Sequence, residues 1–366
     1  MEKTIFCIFY VLTLYILYPV DVLAKTSIST VKNPLFTNIN FGGTSKNDFA
    51  KKFQKKVDTN GPSFKDAFYL SNTLGYPIGN PLLDEDGGYE FGLAIGAGLS
   101  NTEWFGGKRD PNEYPAVAPV AVIHGGFGLD KETDFAGKVM LFDSFIFGAD
   151  PSFGSITLET FRQLIVGGKM RRQVIEEKDI LPFMVAFKGV TLSGGLDVMI
   201  GSVSFNGDFD LKMPDTNIDP GDGGESQSVK TNLSGDYVSQ GNWFQLSTNF
   251  QAMSYMEFFK FFSFYNGPGV SLGYGWLGIE ATASGALMSN DNALDDRIGG
   301  GFYYKTDKLM DLKFDSNTLF HPFPIMPFWT FGIEMNFGPV KWTIESAINL
   351  KNRKDVSMLM GVRYQN

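Results

Sequence analysis

The feature that most constrains the fold is a two-residue period that recurs from Tyr89 to the C-terminus. In the first such segment, Tyr89 to Leu99, apolar side chains hold the odd positions, while Glu90, alanine and glycine hold the even ones. Residues two apart lie on the same face of a β-strand. Similar segments begin near residues 190, 203, 329, 340 and 356. The pattern predicts an all-β chain whose strands have one apolar face.

Two dipeptides interrupt the pattern where the apolar set changes parity. The change is from odd to even numbers at Gly338-Pro339 and from even to odd at Gly201-Ser202. A two-residue hairpin loop has this effect while keeping both apolar sets on one face of the sheet. Both dipeptides are therefore predicted to be hairpin turns, with Phe337 facing Val340 and Trp329 facing Ile348.

Alternation alone fits either a soluble β-sandwich or a membrane β-barrel. The candidate strands are about 9 to 13 residues long, which suits a tilted bilayer crossing better than a globular strand. Their polar faces carry both charges, and aromatic residues gather at the strand ends, as Phe337, Trp342, Tyr364 and Trp329 do. These features favour the barrel, and the soluble β protein stays the alternative.

The one long apolar run, Ile5 to Val20, follows Lys3 and precedes Val22-Leu23-Ala24. It is shorter than the roughly 20 residues that span a bilayer, and small residues stand where signal peptidase reads. Residues 1–24 are predicted to be a cleaved signal peptide, with an uncleaved anchor helix as the alternative. Cleavage removes Cys7, so the exported chain has no thiol for disulfides, nucleophilic catalysis or zinc.

The charge balance argues against nucleic acid as a partner. The chain has 31 basic and 40 acidic residues, a net charge of -9. Removing Glu2, Lys3 and Asp21 leaves 30 basic and 38 acidic residues, which gives -8. Nucleic-acid binding needs a concentrated basic surface, and the only basic cluster in the sequence lies between Lys46 and Lys56.

From Tyr89 to Tyr364 the pattern resembles that of bacterial outer-membrane β-barrels as a class. Such barrels commonly end on an aromatic residue, and here Gln365-Asn366 follow Tyr364, a departure that points to a lineage with a looser insertion signal, such as spirochaetes. The segment before the barrel is similar to the plug of fatty-acid-transporter-type barrels. The resemblance implies an antiparallel transmembrane barrel of about 12–14 strands.

The sequence predicts three parts. Residues 1–24 form the signal peptide, 25–85 an N-terminal helical plug or periplasmic segment, and 86–366 the barrel. Within the second part, Phe49, Phe53 and Val57 recur at helical spacing, and Ser63 with Asp66 forms a capping-box arrangement before an apolar run. A helical hairpin is predicted there, and a tether packed under the barrel is the alternative to a plug.

Charged and polar residues on the faces opposite the apolar sets are predicted to line the lumen. These candidates are Glu90, His124, Lys138, Asp197, Glu280, Glu334, Lys341, Glu345 and Arg363. His124 could act as a base but has no identifiable partner, and His321 lies in a proline-rich loop. Motifs of hydrolases, zinc proteases and phosphate-binding loops are absent from the sequence. We therefore expect no enzymatic activity and no cofactor.

An acidic loop offers a weak calcium site. Its oxygen-bearing residues are Asp215, Asn217, Asp219, Asp222 and Glu225. The first three copy the one-three-five spacing of a calcium loop, but Pro220 replaces the required glycine and Ser226 stands at position twelve. A solvated acidic loop is the preferred interpretation.

Two functions of different kinds fit these predictions. One is an outer-membrane barrel that passes or holds small or lipophilic solutes. The other is a surface-exposed adhesin whose loops, chiefly residues 101–116 and 214–241, bind host or cell-surface macromolecules while the lumen stays shut. Both place the chain in the outer membrane, in contact with its lipid. The longest polar insertion, residues 214–241, is expected outside the cell because the short turns belong on the periplasmic side.

Overall fold

In the computed structural model of the chain, the described residues are 25–32, 36–41, 55, 62–72, 88–104, 107, 108, 110, 115–143, 152–153, 156–181, 183–212, 216–220, 227–289, 308–321 and 325–366. The predicted signal peptide lies outside the described residues. So does the first predicted helix, apart from Lys55.

The described residues form seventeen strands and the helix α1 over residues 62–72. The strands are β1 (Lys25–Lys32), β2 (Phe36–Phe41), β3 (Tyr89–Ser100), β4 (Ala116–Gly128), β5 (Thr133–Asp143), β6 (Ser152–Phe153), β7 (Ile156–Ile175), β8 (Lys178–Leu181), β9 (Val185–Lys212), β10 (Thr216–Pro220), β11 (Gln227–Val229), β12 (Thr231–Phe258), β13 (Phe262–Ser289), β14 (Lys308–Phe320), β15 (Ile325–Phe337), β16 (Val340–Asn349) and β17 (Val356–Gln365). The described helix is not long and apolar enough to cross a membrane.

Ten strands of a 14-stranded antiparallel sheet close into a ring. Its order is β3-β4-β5-β7-β9-β12-β13-β15-β16-β17, and β17 pairs with β3 to complete it. Strands β14 and β1 extend the same sheet beyond β13, whereas β2, β10 and β11 form a separate small sheet. The predicted pairing of Phe337 with Val340 and of Trp329 with Ile348 is confirmed. The fold is an all-β barrel, as the sequence predicted, with ten strands in the closed ring and fourteen in the whole sheet, where about 12–14 strands were expected.

The apolar faces of the ring strands point outward, away from the lumen. Leu196 on β9 is 52% exposed, while its neighbour Asp197 is fully buried. The same arrangement, with apolar side chains outside and polar ones inside, holds on β3, where Phe91, Leu93 and Ile95 are exposed and Glu90 is buried. A water-soluble barrel would turn these faces the other way, because apolar surface is stabilised by removal from water. The outer wall therefore requires a lipid environment.

Three strands of 28 residues each, β9, β12 and β13, extend well past the ring. Along each of these strands the apolar side chains change from the outward face to the inward face at one residue. These residues pair with one another in a row across the sheet, which we call the switch row. The row consists of Gly201, Trp243 and Leu277, with Gln163 on β7. On one side of this row the outward residues are apolar, as Ile200 is, and on the other they are polar, as Asp208 is.

The switch row marks the level at which the strands leave the bilayer. On β13, outward-facing Phe264 and Trp276 are twelve residues apart. At ~3.3 Å per residue and a tilt of ~45°, they are separated by about 28 Å along the bilayer normal, close to the ~30 Å of a hydrocarbon core. We call the part of the sheet beyond the switch row the extension.

The predicted turn at Gly201-Ser202 is wrong, because β9 runs through it without a break. The parity change in the sequence is real, but its cause is the exit from lipid into water. Outside the bilayer the apolar side chains turn inward, as Val203 does when it packs on the lumen core. One strand with two environments thus produced the same pattern as two strands joined by a tight turn.

The two ends of the ring differ in their connections. At one end β15 and β16 are joined by Gly338-Pro339, and β12 and β13 by a turn at Phe259 and Lys260 with positive φ values of 54° and 59°. At the other end most connections are longer, and they include residues 101–115 and 213–230; the exception is the six-residue connection over residues 350–355. We call these the short-turn end and the long-connection end. The predicted polar insertion at 214–241 begins on the latter, but its second half belongs to β12.

The N-terminal segment contains more than the predicted helices. Lys25–Lys32 and Phe36–Phe41 are strands, paired with β14 and β10 respectively. These strands lie within the predicted helical segment 25–85 but before its two predicted helices, and the sequence Ser27-Ile28-Ser29-Thr30-Val31 is rich in β-branched side chains that favour strands. The second predicted helix is present as α1, over residues 62–72.

Candidate functional site

Helix α1 lies inside the barrel, in the half of the lumen nearer the long-connection end. The Phe68 ring stacks on Trp243 of β12 with 4.3 Å between ring centroids. The Tyr69 hydroxyl lies 3.0 Å from the Ser271 hydroxyl on β13. Lys138 Nζ on β5 donates to the carbonyl oxygen of Asn72 at 2.5 Å and so caps the last turn of the helix. The helix is thus held by strands on opposite walls.

Two glycines allow α1 to approach the wall this closely. A Cβ at Gly98 would overlap the carbonyl oxygen of Ala67, and one at Gly273 would overlap the Tyr69 hydroxyl. Gly98 therefore makes room for the helix backbone, and Gly273 makes room for the Tyr69 ring. Ala67 and Leu70 are fully buried against the wall as a result.

Toward the short-turn end, the lumen is filled by buried charged groups. Arg363 on β17 is 1% exposed; its Nη1 pairs with Glu90 on β3 and its Nη2 lies 2.5 Å from a carboxylate oxygen of Glu334 on β15. Arg171 and Asp134 form a second buried pair through two bonds of 2.8 and 2.6 Å. Charges in a low-dielectric interior are stable only when paired, so these pairs fix the wall strands to one another.

A further polar layer lies between these pairs and α1. Lys138 Nζ is 3.1 Å from Asp197 Oδ1, and both side chains are fully buried. Lys169 donates to Gln251 at 2.9 Å, and Gln251 donates to Thr330 at 2.8 Å. Together with α1, these side chains occupy the lumen along much of its length.

The structure places most of the predicted lumen residues in the interior. Those that are buried on the inward faces are Glu90, His124, Lys138, Asp197, Glu334, Glu345 and Arg363. Lys341 is half-buried, with its Nζ 3.9 Å from Glu334 Oε1. The prediction for Glu280 is wrong: its side chain is exposed on the outer face of the extension and accepts a bond from Asn317. Beyond the switch row the outward face is the polar one.

The histidines and the acidic loop do not form a reaction centre among the described residues. His124 is 3% exposed, its ring packs on Gly92, and its Nε2 has no hydrogen-bond partner within the described part of the chain. His321 Nδ1 lies 3.1 Å from the Gly275 carbonyl oxygen. Asn217 and Asp219 belong to strand β10, while Asp215, Asp222 and Glu225 lie outside the described residues. No group of three or more metal-binding side chains occurs in the described ranges.

The wall of the barrel opens between β4 and β5. Their backbone pairing ends at Ile123 and Val139, although β4 continues to Ala116 and β5 to Asp143. Over this stretch β4 stays paired with β3, and β5 stays paired with β7, so the two strands diverge. Unpaired backbone groups are costly in lipid. One of them, the Ala121 amide, donates to the Met140 sulfur at 3.3 Å.

An apolar cavity of about 700 Å³ lies at this opening and reaches both sides of the wall. We call it the wall cavity. From the outward faces it is lined by Ile95, Ala97, Pro119, Ala121, Met358 and Met360, and from the lumen side by Val120, Met140, Phe161 and Leu359. Phe161 lies 5.9 Å from Trp243, ring to ring, and Trp243 in turn stacks on Phe68 of α1. The cavity therefore ends against the aromatic residues that hold the helix.

Asp355, before β17, is expected to make its loop pH-sensitive. Burial raises the pKa of Asp355 to about 6, against the effect of its 2.6 Å bond from Ser100. A raised folded-state pKa stabilises the folded loop below the unfolded value of about 4, and this stabilisation is lost as pH rises through 6. The protection factors of the amides of residues 349–355, which are exchange rates corrected for the intrinsic pH dependence, should be larger at pH 5 than at pH 8, and the Asp355→Asn variant should show no such difference. Equal protection factors at the two pH values in the unmodified protein would contradict the assignment.

The closed ring, the outward apolar faces and the polar lumen define a transmembrane β-barrel of the bacterial outer-membrane kind. Residues 141–365, more than half of the chain, match the Lsa36-like family, and the chain belongs to that family. No curated protein matches the sequence.

Among solved structures, the chain is similar to other barrels. The translocator domain of the autotransporter NalP from Neisseria meningitidis is 11% identical, with 86% of this chain and 97% of that chain covered and a TM-score of 0.29. The toluene transporter TbuX of Ralstonia pickettii is 8% identical, with coverages of 77% and 90% and a TM-score of 0.24. A Pseudomonas aeruginosa FadL homologue is 9% identical, with coverages of 90% and 99% and a TM-score of 0.23.

The residues that form the wall cavity were not predicted from the sequence. Val120, Met140 and Phe161 are apolar residues on inward faces, so in the sequence they look like interruptions of the alternation. Pro119 was the available signal, because a proline in a strand cannot donate to a sheet ladder and is confined to edges and irregularities. It stands on β4, in the stretch where pairing with β5 has ended.

Proposed function

We propose that this barrel resides in the bacterial outer membrane, exported by a cleaved signal peptide, and that it binds a lipophilic solute in the wall cavity and passes it between the outside and the bilayer. The observation that carries the proposal is the apolar cavity at a gap in strand pairing. The gap gives the cavity an open side toward lipid, and its lining offers no charge to a ligand.

The geometry favours passage through the wall over passage along the barrel axis. Buried ion pairs and α1 occupy the lumen, and displacing them would leave charges without partners in a low-dielectric interior. An apolar solute gains about 25 cal/mol per Å² of surface removed from water, so the cavity is the part of the protein where it is stabilised. Binding and passage need no catalytic group and no cofactor, and we propose neither.

A photo-crosslinking experiment in lipid nanodiscs tests the site. A dodecane carrying a diazirine should crosslink to Met140, Phe161 and Leu359, and excess dodecane should compete. In the Val120→Trp variant, crosslinks at these residues should fall severalfold, because the indole fills the volume in which the alkyl chain would lie. Unchanged crosslinking, or labels confined to outward-facing residues, would overturn the proposal.

Leu164→Trp provides the matched control. Leu164 is 39% exposed on the outer face of β7 and does not line the wall cavity. The control should crosslink as the unmodified protein does. Heat-modifiable migration on unboiled gels should be the same in all three proteins, which shows that lost labelling does not come from lost folding.

A second function, binding of host or cell-surface macromolecules, is favoured by the extension. Strands β9, β12 and β13 continue for about a dozen residues past the switch row with polar outward faces. This is more surface than a membrane crossing needs. Partner capture by the intact protein, lost on deletion of the connection over residues 213–230, would support this second function.

A further inference from the structure

The N-terminal strand lies beyond the bilayer, on the side of the long connections. β1 pairs with β14 over eight residues, with Lys25 opposite Asn317 and Lys32 opposite Met310. β14 itself pairs with β13 from Leu277, on the switch row, to Met288. Both strands therefore belong to the extension.

The helix that follows is directed from that end into the barrel. Asp66, in its first half, lines a small cavity with Asn349 and Asn352, at the long-connection end. Asn72, at its last turn, is bonded to Lys138 and lies near Ser247, below the switch row. Along α1 the chain thus runs from the long-connection end toward the middle of the lumen.

The first ring strand begins at the opposite end. The Gly88 carbonyl oxygen accepts from the Gly128 amide at 2.8 Å, and the Tyr89 carbonyl accepts from the C-terminal Asn366 at 3.0 Å. Both contacts are at the short-turn end. The described residues before the ring therefore lie first at the outer end of the barrel, then in the lumen, and last at the inner end.

We propose that the barrel displays its own N-terminal segment, beginning at Lys25, on the outside of the bilayer, and that this segment arrives there through the lumen, with α1 remaining as the connection. The short-turn end faces the periplasm, the compartment into which a signal peptide delivers the chain. Polar backbone and lysines cannot cross hydrocarbon unaided. Before the buried ion pairs of the lumen have formed, the closed ring offers a shielded route, and pairing with β14 fastens the exported strand.

This display goes beyond the passage of a solute, because the transported material is part of the chain itself. The contacts of α1 are those expected of a segment that entered the lumen during export and stayed there. Its backbone rests on Gly98, its Tyr69 ring rests on Gly273, and its end is capped by Lys138, so the helix fills the half of the lumen nearer the long-connection end after the strand has left it. The N-terminal segment then acts as an exposed module with the barrel as its anchor.

Single cysteines can locate the segment, since the only natural cysteine is Cys7. Ser29→Cys and Thr30→Cys alternate across β1, so one lies on each face of the sheet. Asp208→Cys marks the exposed outer face of the extension, and Lys131→Cys marks the turn between β4 and β5. In intact cells, a membrane-impermeant maleimide should label Asp208→Cys and at least one β1 variant. Lys131→Cys should react only after the outer membrane is permeabilised.

The outcomes separate the two proposals. Labelling at position 208 with none at 29 or 30 before permeabilisation would overturn the display and leave the wall cavity untouched. Labelling at 131 with none at 208 would show that the barrel has the opposite orientation in the membrane, and it would overturn the display as well. Loss of crosslinking in the wall cavity would overturn the solute proposal, but it would not change the maleimide labelling expected at positions 29, 30, 131 and 208.

An insertion between Ala24 and Lys25 tests the route. A short unstructured epitope should reach the surface. A module closed by its own disulfide should stall in the periplasm and reach the surface only when reductant is present during expression, because a ring of ten strands has room for one helix and not for a folded domain. Equal display of the closed module in both conditions would overturn passage through the lumen.

Discussion

Replacing Arg363 with methionine is expected to lower the free energy of unfolding by about 3–5 kcal/mol, the usual effect of removing one partner from a buried ion pair. Arg363 is 1% exposed and pairs with both Glu90 and Glu334. Its loss leaves two carboxylates in a low-dielectric lumen without their cation. The measurement is a urea titration of the refolded protein in detergent micelles, followed by the heat-modifiable band on unboiled gels.

The control is Arg172→Met. Arg172 also lies on a ring strand, β7, but its ion pair is exposed. The side chains of Arg172 and its partner Glu132 are 68% and 56% exposed. Exposed ion pairs contribute at most about 1 kcal/mol. The Arg363→Met, Glu90→Gln, Glu334→Gln triple variant should recover part of the loss, since it removes the unpaired charges. Equal effects of Arg363→Met and Arg172→Met would show that the lumen network does not hold the wall strands together.

The second large effect is expected on the outer wall. Leu196→Arg should lower the free energy of unfolding in lipid vesicles by about 2–4 kcal/mol, the cost of a cation at the bilayer midplane on the outward face of a membrane barrel. Leu196 is 52% exposed on β9, among other outward apolar residues. The readout is the same urea titration, performed on protein inserted into vesicles.

Asp208→Arg places the same side chain on the same face of β9, twelve residues further along. Because position 208 lies beyond the switch row, in water, the change should alter the free energy of unfolding by no more than about 0.5 kcal/mol. If Asp208→Arg were as harmful as Leu196→Arg, the switch row could not be the boundary of the bilayer.

Much of the barrel is predictable from the sequence because its side chains face only two environments. Lipid on one side and a polar lumen on the other impose strict alternation, which located β3, β4, β15, β16 and β17 to within a few residues. The register of β15 with β16 followed from the same rule. Buried lumen residues such as Asp197 and Arg363 stood out as charges on the face opposite the apolar set.

The remaining features depend on information that local pattern does not carry. The apolar residues change between odd and even numbers both when a strand turns and when it leaves the bilayer, so the sequence is the same in the two cases. At Gly201 only the pairing with Trp243 shows that the strand continues. The partner of Arg363 on β3 is 273 residues away, so no spacing rule reveals it. The position of α1 depends on Gly98 and Gly273, each of which looks like an ordinary small residue of a polar face.

The central feature of this barrel is that β9 is one strand that crosses the bilayer and continues into water, and a cysteine scan of its outward positions tests this most directly. The positions are Leu192, Leu196, Ile200, Asp208 and Asp210, each replaced singly in protein inserted into lipid vesicles. A water-soluble maleimide should react slowly at the first three positions and rapidly at the last two. Fluorophores attached at the same positions should be quenched by lipid-attached nitroxides in the opposite order. Uniform reactivity along the strand, or protection at positions 208 and 210 with a reactive turn at 201 and 202, would show that β9 does not continue from the bilayer into water.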